Sequence, residues 1–153
     1  MPSGRAARTW CRGVANVCAS RGGGRHDGIR KHRRFTVDMT PVEGLIDGTG
    51  RLDFAKVWTG AIEGRGSGVM LSAGDPNAGE AGYVALERFE GTVEGRSGSF
   101  ALQHFGLMSA GEASLTYAVV PGSGTRDLVG IEGTLDLDTA NGHHVTLRYT
   151  LPD

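Results

Sequence analysis

The sequence has little cysteine: only two cysteines occur in 153 residues, Cys11 and Cys18, and both lie near the amino terminus. A disulfide framework of the kind that holds small secreted domains together is therefore excluded for the rest of the chain, and we expect a cytoplasmic location. No apolar run approaches the roughly 18 residues that a membrane-spanning helix requires, so we expect no membrane partner.

Helical patterns are also missing, because no capping residue precedes a stripe of apolar residues at intervals of three and four. Glycine, in contrast, is abundant, with 26 residues, but it follows no Gly-x-y period, which excludes a collagen-like chain. The glycines separate short segments in which apolar and polar residues alternate. Such segments are typical of strands joined by tight turns, so the sequence predicts an all-β protein.

Charge divides the chain near Phe35. Residues 1–34 contain nine Lys or Arg and one acid, whereas residues 35–153 contain seven basic residues and sixteen acids. The basic segment shows no apolar periodicity, so we predict a disordered tail at 1–33 and a single folded domain at 34–153. The favoured interpretation of this Arg/Gly-rich tail is a misassigned start of the chain.

Two other interpretations of the tail remain. A basic arm could bind nucleic acid, but the folded part is acidic and Trp10 is the tail's only Trp, Tyr or Phe, so we do not expect a nucleic-acid partner. A zinc site could use the two cysteines with His26 and His32, but the C-x6-C spacing is wider than in the usual zinc knuckle. No metal or other cofactor is therefore predicted.

One phrase occurs twice, as "GAIEGRGSGVML" at 60–71 and as "GTVEGRSGSFAL" at 91–102. We interpret each copy as a β-hairpin, with two-residue turns at Arg65–Gly66 and Arg96–Ser97. This register pairs Ile62 with Val69 in the first copy. In the second, side chains alternate so that one apolar face carries Glu87, Phe89, Gly91, Val93, Phe100, Leu102 and His104.

The alternation predicts eight antiparallel strands, at about 34–40, 51–64, 66–73, 82–95, 98–108, 113–120, 128–138 and 143–151. A three-residue loop at 140–142 would place Val145 opposite Leu137 and Tyr149 opposite Gly133. Eight strands that follow one another in this way most simply close into a single barrel, which leaves no exposed edge.

Three segments, "GYVALERFEGTVEGRSGSFALQHFG", "VVPGSGTRDLVGIEGTLDL" and "HHVTLRYTLP", resemble the bacterial family called domain of unknown function 3224. The resemblance covers about residues 35–153. It implies a small barrel related in fold to allene oxide cyclase, broadly calycin-like or lipocalin-like in shape. The family has no assigned activity, and no catalytic residue is carried over, because a shared fold does not establish a function.

Glu87 and His104 are the candidate catalytic residues, because a carboxylate beside an imidazole on the inner face can act as an acid–base pair. Aromatic side chains could line a pocket around them. The predicted ligand-binding residues are Trp58, Tyr83, Glu87, Phe89, His104 and Tyr117. The favoured alternative is structural: a buried Glu–His pair often satisfies only its own hydrogen bonds, and single aromatics usually belong to the core.

Two classes of function remain open. The first is a barrel that binds a small apolar or amphipathic molecule, or that serves as an interaction module, either of which could form a homo-oligomer. The second is a cofactor-independent isomerase or cyclase that uses Glu87 and His104 as its acid–base pair. Whether the protein is an enzyme is left open by the sequence.

Overall fold

The computed structural model describes residues 34–138 and 144–152, so the predicted tail at 1–33 and the loop at 140–142 lie outside the described residues. The described part is all-β, as predicted. One 3-10 turn, Arg126–Leu128, lies between β6 and β7. The strands are β1 (Arg34–Val42), β2 (Thr49–Thr59), β3 (Ile62–Asp75), β4 (Glu80–Val93), β5 (Arg96–Ser109), β6 (Glu112–Val119), β7 (Glu132–Asp138) and β8 (His144–Thr150).

The eight strands form one antiparallel sheet in chain order, but the predicted closed barrel is wrong. No backbone pairing joins β1 to β8 among the described residues, and β6 pairs with β7 at only two positions. The sheet nevertheless curls, because Phe35 of β1 and Tyr149 of β8 pack against the same apolar cluster. Side-chain packing, rather than a hydrogen-bonded ladder, brings the two edge strands to a common core.

The second copy of the repeated phrase is a hairpin, but its turn lies two residues earlier than predicted. Glu94 and Gly95 form the turn with φ of 51° and 84°, as a type I′ turn requires. Val93 therefore pairs with Arg96, and Phe89 pairs with Phe100. Moving the turn two residues earlier shifts the cross-strand partner of each residue by four positions. Because four is an even number, every side chain keeps its predicted face while its partner changes.

The first copy is not a hairpin, so the predicted turn at Arg65–Gly66 and the pairing of Ile62 with Val69 are wrong. Both positions lie inside β3, and Ile62 pairs with Val93 of β4. Gly66, predicted as a turn residue, is a strand residue that pairs with Lys56, and Gly68 pairs with Phe54. These glycines leave space on the inner face of the sheet.

The last hairpin has the predicted register, with Leu137 opposite Val145 and Gly133 opposite Tyr149. The first strand of this hairpin, β7, begins at Glu132 and is therefore shorter than the predicted strand at 128–138. Residues 120–131 instead form a connection whose Leu128 and Ile131 are fully buried.

That connection covers the part of β5 that β6 does not pair with. Ser123 Oγ accepts a hydrogen bond from the Ala101 amide, and Thr125 Oγ1 accepts one from the Ser99 amide, each at 3.0 Å. Backbone amides at this edge of β5 thus obtain the partners that buried amides require. The glycine-rich loop is consequently a structural element that also covers one end of the core.

Candidate functional site

The inner face of the sheet holds two apolar clusters. The large cluster is made of Trp58, Ile62, Phe89, Val93, Phe100, Leu102, Val119, Leu128, Ile131, Leu135, Val145 and Leu147. The small cluster is made of Leu52, Phe54, Met70, Tyr83 and Ala85. Between them lies a polar layer formed by three buried side chains: Lys56, Glu87 and His104.

The alternation of each strand explains this order. On β2 every second residue faces inward, so that Phe54 of the small cluster, Lys56 and Trp58 of the large cluster follow one another. On β4 the same step places Glu87 between Ala85 and Phe89. The polar layer is therefore one level of the sheet interior, to which β2, β4 and β5 each contribute a residue.

Lys56 and Glu87 form a buried ion pair. Lys56 Nζ lies 2.6 Å from Glu87 Oε2, with the two side chains 5% and 0% exposed. Trp58 Nε1 donates a hydrogen bond of 3.2 Å to the other carboxylate oxygen, Oε1. Both oxygens of Glu87 are thus engaged, which a buried carboxylate requires if it is to remain charged.

Lys56 is a member of the site that was not predicted from the sequence. A signal was present, because Lys56 has the parity of Phe54 and Trp58 in the alternation of β2. A charged residue flanked at positions −2 and +2 by aromatic core residues must either turn outward or find a buried partner.

The ion pair spans a strand, since β3 lies between β2 and β4 in the sheet. It can do so because β3 presents Gly66 and Gly68 at this level. A Cβ on Gly66 would overlap Glu87 Oε1 and would lie 3.1 Å from Trp58 Nε1. Gly66 therefore forms the space in which the carboxylate lies, and Gly68 leaves room for the ring of Phe54.

Four aromatic rings surround the Lys56 ammonium group. Its Nζ lies 4.8 Å from the ring centroid of Phe35, 5.2 Å from Phe54, 5.3 Å from Trp58 and 5.6 Å from Tyr117. At these distances the negative faces of the rings attract a cation. The rings thus replace part of the hydration that the ammonium group loses on burial.

His104 completes the polar layer but lies outside the short hydrogen bonds that join Glu87 to Lys56 and Trp58. Its Nε2 lies 3.5 Å from Glu87 Oε2, at the outer limit of a hydrogen bond, and Nδ1 has no hydrogen-bond partner among the described residues, although the side chain is only 4% exposed. The ring stacks on Tyr117 with centroids 4.2 Å apart and an angle of 6°. Tyr83 meets it edge-on at 6.0 Å.

Burial holds the pKa of His104 below its ordinary value of 6.5; the contact with Glu87 opposes this lowering, and the charge of Lys56 adds to it. For Glu87, burial alone would raise the pKa, but the Lys56 charge and the contacts with His104 and Lys56 outweigh it and lower the pKa below 4.5. At neutral pH the site therefore combines a carboxylate with a neutral imidazole.

The predicted site residues fall into two groups. Glu87, His104, Tyr83 and Tyr117 meet at or next to the polar layer, and Trp58 joins it through its hydrogen bond to Glu87. Phe89 instead packs inside the large cluster, where its ring lies 4.9 Å from that of Phe100. A binding or catalytic role for any of these residues stays a prediction.

Among residues 34–138 and 144–152, no three His, Cys, Asp or Glu side chains lie close enough together to hold a metal ion. Within the same part of the chain, no helix has the length and apolar character needed to cross a bilayer.

A family model described as "Protein of unknown function (DUF3224)" matches residues 32–151. A crystal structure of a protein with unknown function from the DUF3224 family of Shewanella oneidensis MR-1 is 37% identical in sequence. Superposition gives a TM-score of 0.75 and covers 83% of this chain and 99% of that one. No curated protein matches this chain.

Proposed function

We propose that this chain, which belongs to the DUF3224 family of proteins of unknown function, binds a small amphipathic molecule on the inner face of its sheet. One observation carries the proposal: within residues 34–138 and 144–152, the buried His104 ring has no hydrogen-bond partner at Nδ1 and only a long contact of 3.5 Å from Nε2 to Glu87 Oε2. Buried polar groups are nearly always hydrogen-bonded, and leaving one unsatisfied costs about 1–3 kcal/mol. A ligand that bonds to His104 would remove that cost.

Burial favours the side of the small cluster for the apolar part of the ligand. Its five residues are 5–8% exposed, whereas the members of the large cluster, apart from Val119 and Leu135, are exposed by 2% or less. The large cluster is also covered by Leu128 and Ile131 of the connection before β7. A molecule entering from solvent would therefore reach His104 past Phe54 and Tyr83.

The chemistry of the polar layer limits the polar group of the ligand. Lys56 and Glu87 already neutralise each other, so an additional charge would be buried without a counter-charge. A neutral imidazole offers one N–H donor and one acceptor nitrogen. The ligand class that fits is an uncharged apolar molecule with a hydroxyl or carbonyl group. We also propose a cytoplasmic location for the protein.

Native mass spectrometry of the purified chain tests the proposal by detecting a co-purified molecule, which can then be titrated back onto the stripped protein. His104→Phe keeps an aromatic ring against Tyr117 but removes both nitrogens, and we expect it to weaken binding about 10-fold to 100-fold. Gln103→Ala, on the outer face of the same strand, is the matched control and should bind normally. Absence of any bound molecule, or unchanged affinity in His104→Phe, would refute the proposal.

A second candidate is a cofactor-independent isomerase or cyclase, and the lowered pKa of His104 favours it. A neutral imidazole at neutral pH can accept a proton from a carbon next to a carbonyl group, and the carboxylate of Glu87 stabilises the resulting imidazolium. When the imidazolium returns that proton to another carbon of the substrate, the isomerisation is complete and His104 is neutral again. Solvent deuterium should then enter the bound molecule with the native protein and not with His104→Phe; no exchange with the native protein excludes this candidate.

A further inference from the structure

The outer face of the sheet carries an apolar patch on three neighbouring strands. Each of its side chains is between 38% and 60% exposed. We call this set the outer patch: Val69 and Leu71 of β3, Val84 and Leu86 of β4, and Phe105 and Leu107 of β5.

The strand register makes the patch continuous. Val84 lies at its centre, with Leu71 opposite on one side and Phe105 opposite on the other. Leu86 lies two residues further along β4 and pairs with Val69. The six side chains thus cover adjacent positions of one surface. Single exposed apolar residues are common on soluble proteins, but a continuous patch of this kind indicates an interaction surface.

The size of the patch matches what a dimer interface needs. At the exposures above, the six side chains present roughly 500 Å² of apolar surface, near the upper end for a monomeric protein. A standard interface buries about 800 Å² on each partner, of which a little over half is apolar. The outer patch with a polar rim would therefore supply one half of such an interface.

The two ends of the outer patch carry opposite charges, which would determine how two copies of the chain orient against each other. Glu80 and Arg88 each lie four residues from Val84 on β4, or about 13 Å along the strand. Asp75 pairs with Glu80 and makes that end acidic. Arg65 pairs with Glu90, which also lies 3.9 Å from Arg88 and 3.8 Å from Arg126, so the other end carries these three arginines against Glu90 and Glu63 and is more basic.

We propose that two copies of this chain stack face to face through the outer patch. The two-fold axis that relates them lies in the plane of the interface and runs perpendicular to β4 near Val84. That axis places Glu80 of each copy against Arg88 of the other, whereas an axis parallel to β4 would bring the acidic ends together. The interface buries the patch of both copies. It is independent of the ligand site, which lies on the opposite face of the sheet.

Sedimentation of the full chain over a concentration series tests the dimer, with a Kd in the micromolar range or below expected. Val84→Lys places two ammonium groups near the two-fold axis and should weaken association at least about 100-fold. Val129→Lys is the matched control, because Val129 is 62% exposed but lies outside the outer patch. A chain that stays monomeric throughout, or a dimer that survives Val84→Lys, would overturn the proposal.

A charge exchange tests the axis itself. Glu80→Arg or Arg88→Glu alone creates like-charge contacts and should weaken association about 10-fold, while the double variant restores it to within about threefold. Glu80 also accepts a hydrogen bond from the Ala110 amide, so thermal unfolding is recorded for every variant. Single variants that dimerise like the native chain, or a double variant that does not recover, would refute this orientation.

Discussion

Lys56 and Glu87 are 31 residues apart in the sequence and lie on strands that do not pair, yet Nζ and Oε2 are 2.6 Å apart inside the sheet. The strand between them carries no side chain at this level, because Gly66 and Gly68 stand where inward side chains would be. The contact thus depends on three strands at once: β2 supplies the cation, β4 the carboxylate and β3 the space.

Gly66→Ala tests this dependence. The added methyl group overlaps Glu87 Oε1, so the carboxylate must move away from Trp58 and Lys56. We expect a loss of about 2–4 kcal/mol in the free energy of unfolding, measured by urea denaturation. Gly82→Ala is the control, because its Cβ would meet the flexible end of Leu107 at 3.2 Å and the Gly106 carbonyl oxygen at an ordinary contact distance of 3.6 Å. Equal effects of both substitutions would contradict the account of β3.

The buried ion pair should show strong coupling. Lys56→Met leaves a buried carboxylate without its cation, and Glu87→Leu leaves a buried ammonium group, so each should cost about 3–5 kcal/mol. The double variant should be much less destabilised than the sum of the two, because no unpaired charge remains. Additive losses, from denaturation of all four proteins, would show that the pair does not act as a unit.

Stability should fall as the pH is lowered below about 6.5, because of His104. Its pKa is lowered in the folded protein, so the unfolded chain binds a proton in this range before the folded one does. The stability that neutral His104 contributes is thus present above pH 6.5 and is lost as the pH falls toward its folded pKa. Replacing it in His104→Phe should flatten this part of the unfolding curve.

Glu87 acts in a lower range of pH. Its pKa is lowered from 4.5, so its contribution is present above that value and is lost as the pH falls further. The slope in the acid range should therefore survive in His104→Phe and decrease in Glu87→Leu. A native slope between pH 5 and 7 that His104→Phe leaves unchanged would assign the titration to another group.

The β5–β6 turn can be improved by one substitution. Ala110 has a φ of 51° and precedes Gly111 with a φ of 79°, the geometry of a type I′ turn, in which Asn-Gly is preferred. Ala110→Asn should raise the free energy of unfolding by about 0.5–1 kcal/mol. Ala78→Asn, at an exposed turn residue without a positive φ, should bring no gain; a destabilised Ala110→Asn would contradict the assigned turn.

The sequence by itself determined which face of each strand is inward, because alternation has a period of two and survives an even slip of register. Glu87 and His104 were placed on the inner face on that ground, and the structure brings them within 3.5 Å even though the turn at Glu94–Gly95 differs from the one predicted. The all-β class and the β7–β8 register were likewise readable from local patterns.

Only the tertiary structure decided what the glycines do and which partner Glu87 has. Glycine permits a tight turn, and it also permits close approach of a neighbouring side chain within a strand. The segment "GRGSG" is therefore compatible with a turn or with a strand, and only the neighbouring strands decide between them. Lys56 meets Glu87 across an intervening strand, a contact that depends on sheet order and curl. Closure depends on the same long-range packing: Phe35 and Tyr149 share a core although β1 and β8 form no ladder in the described chain.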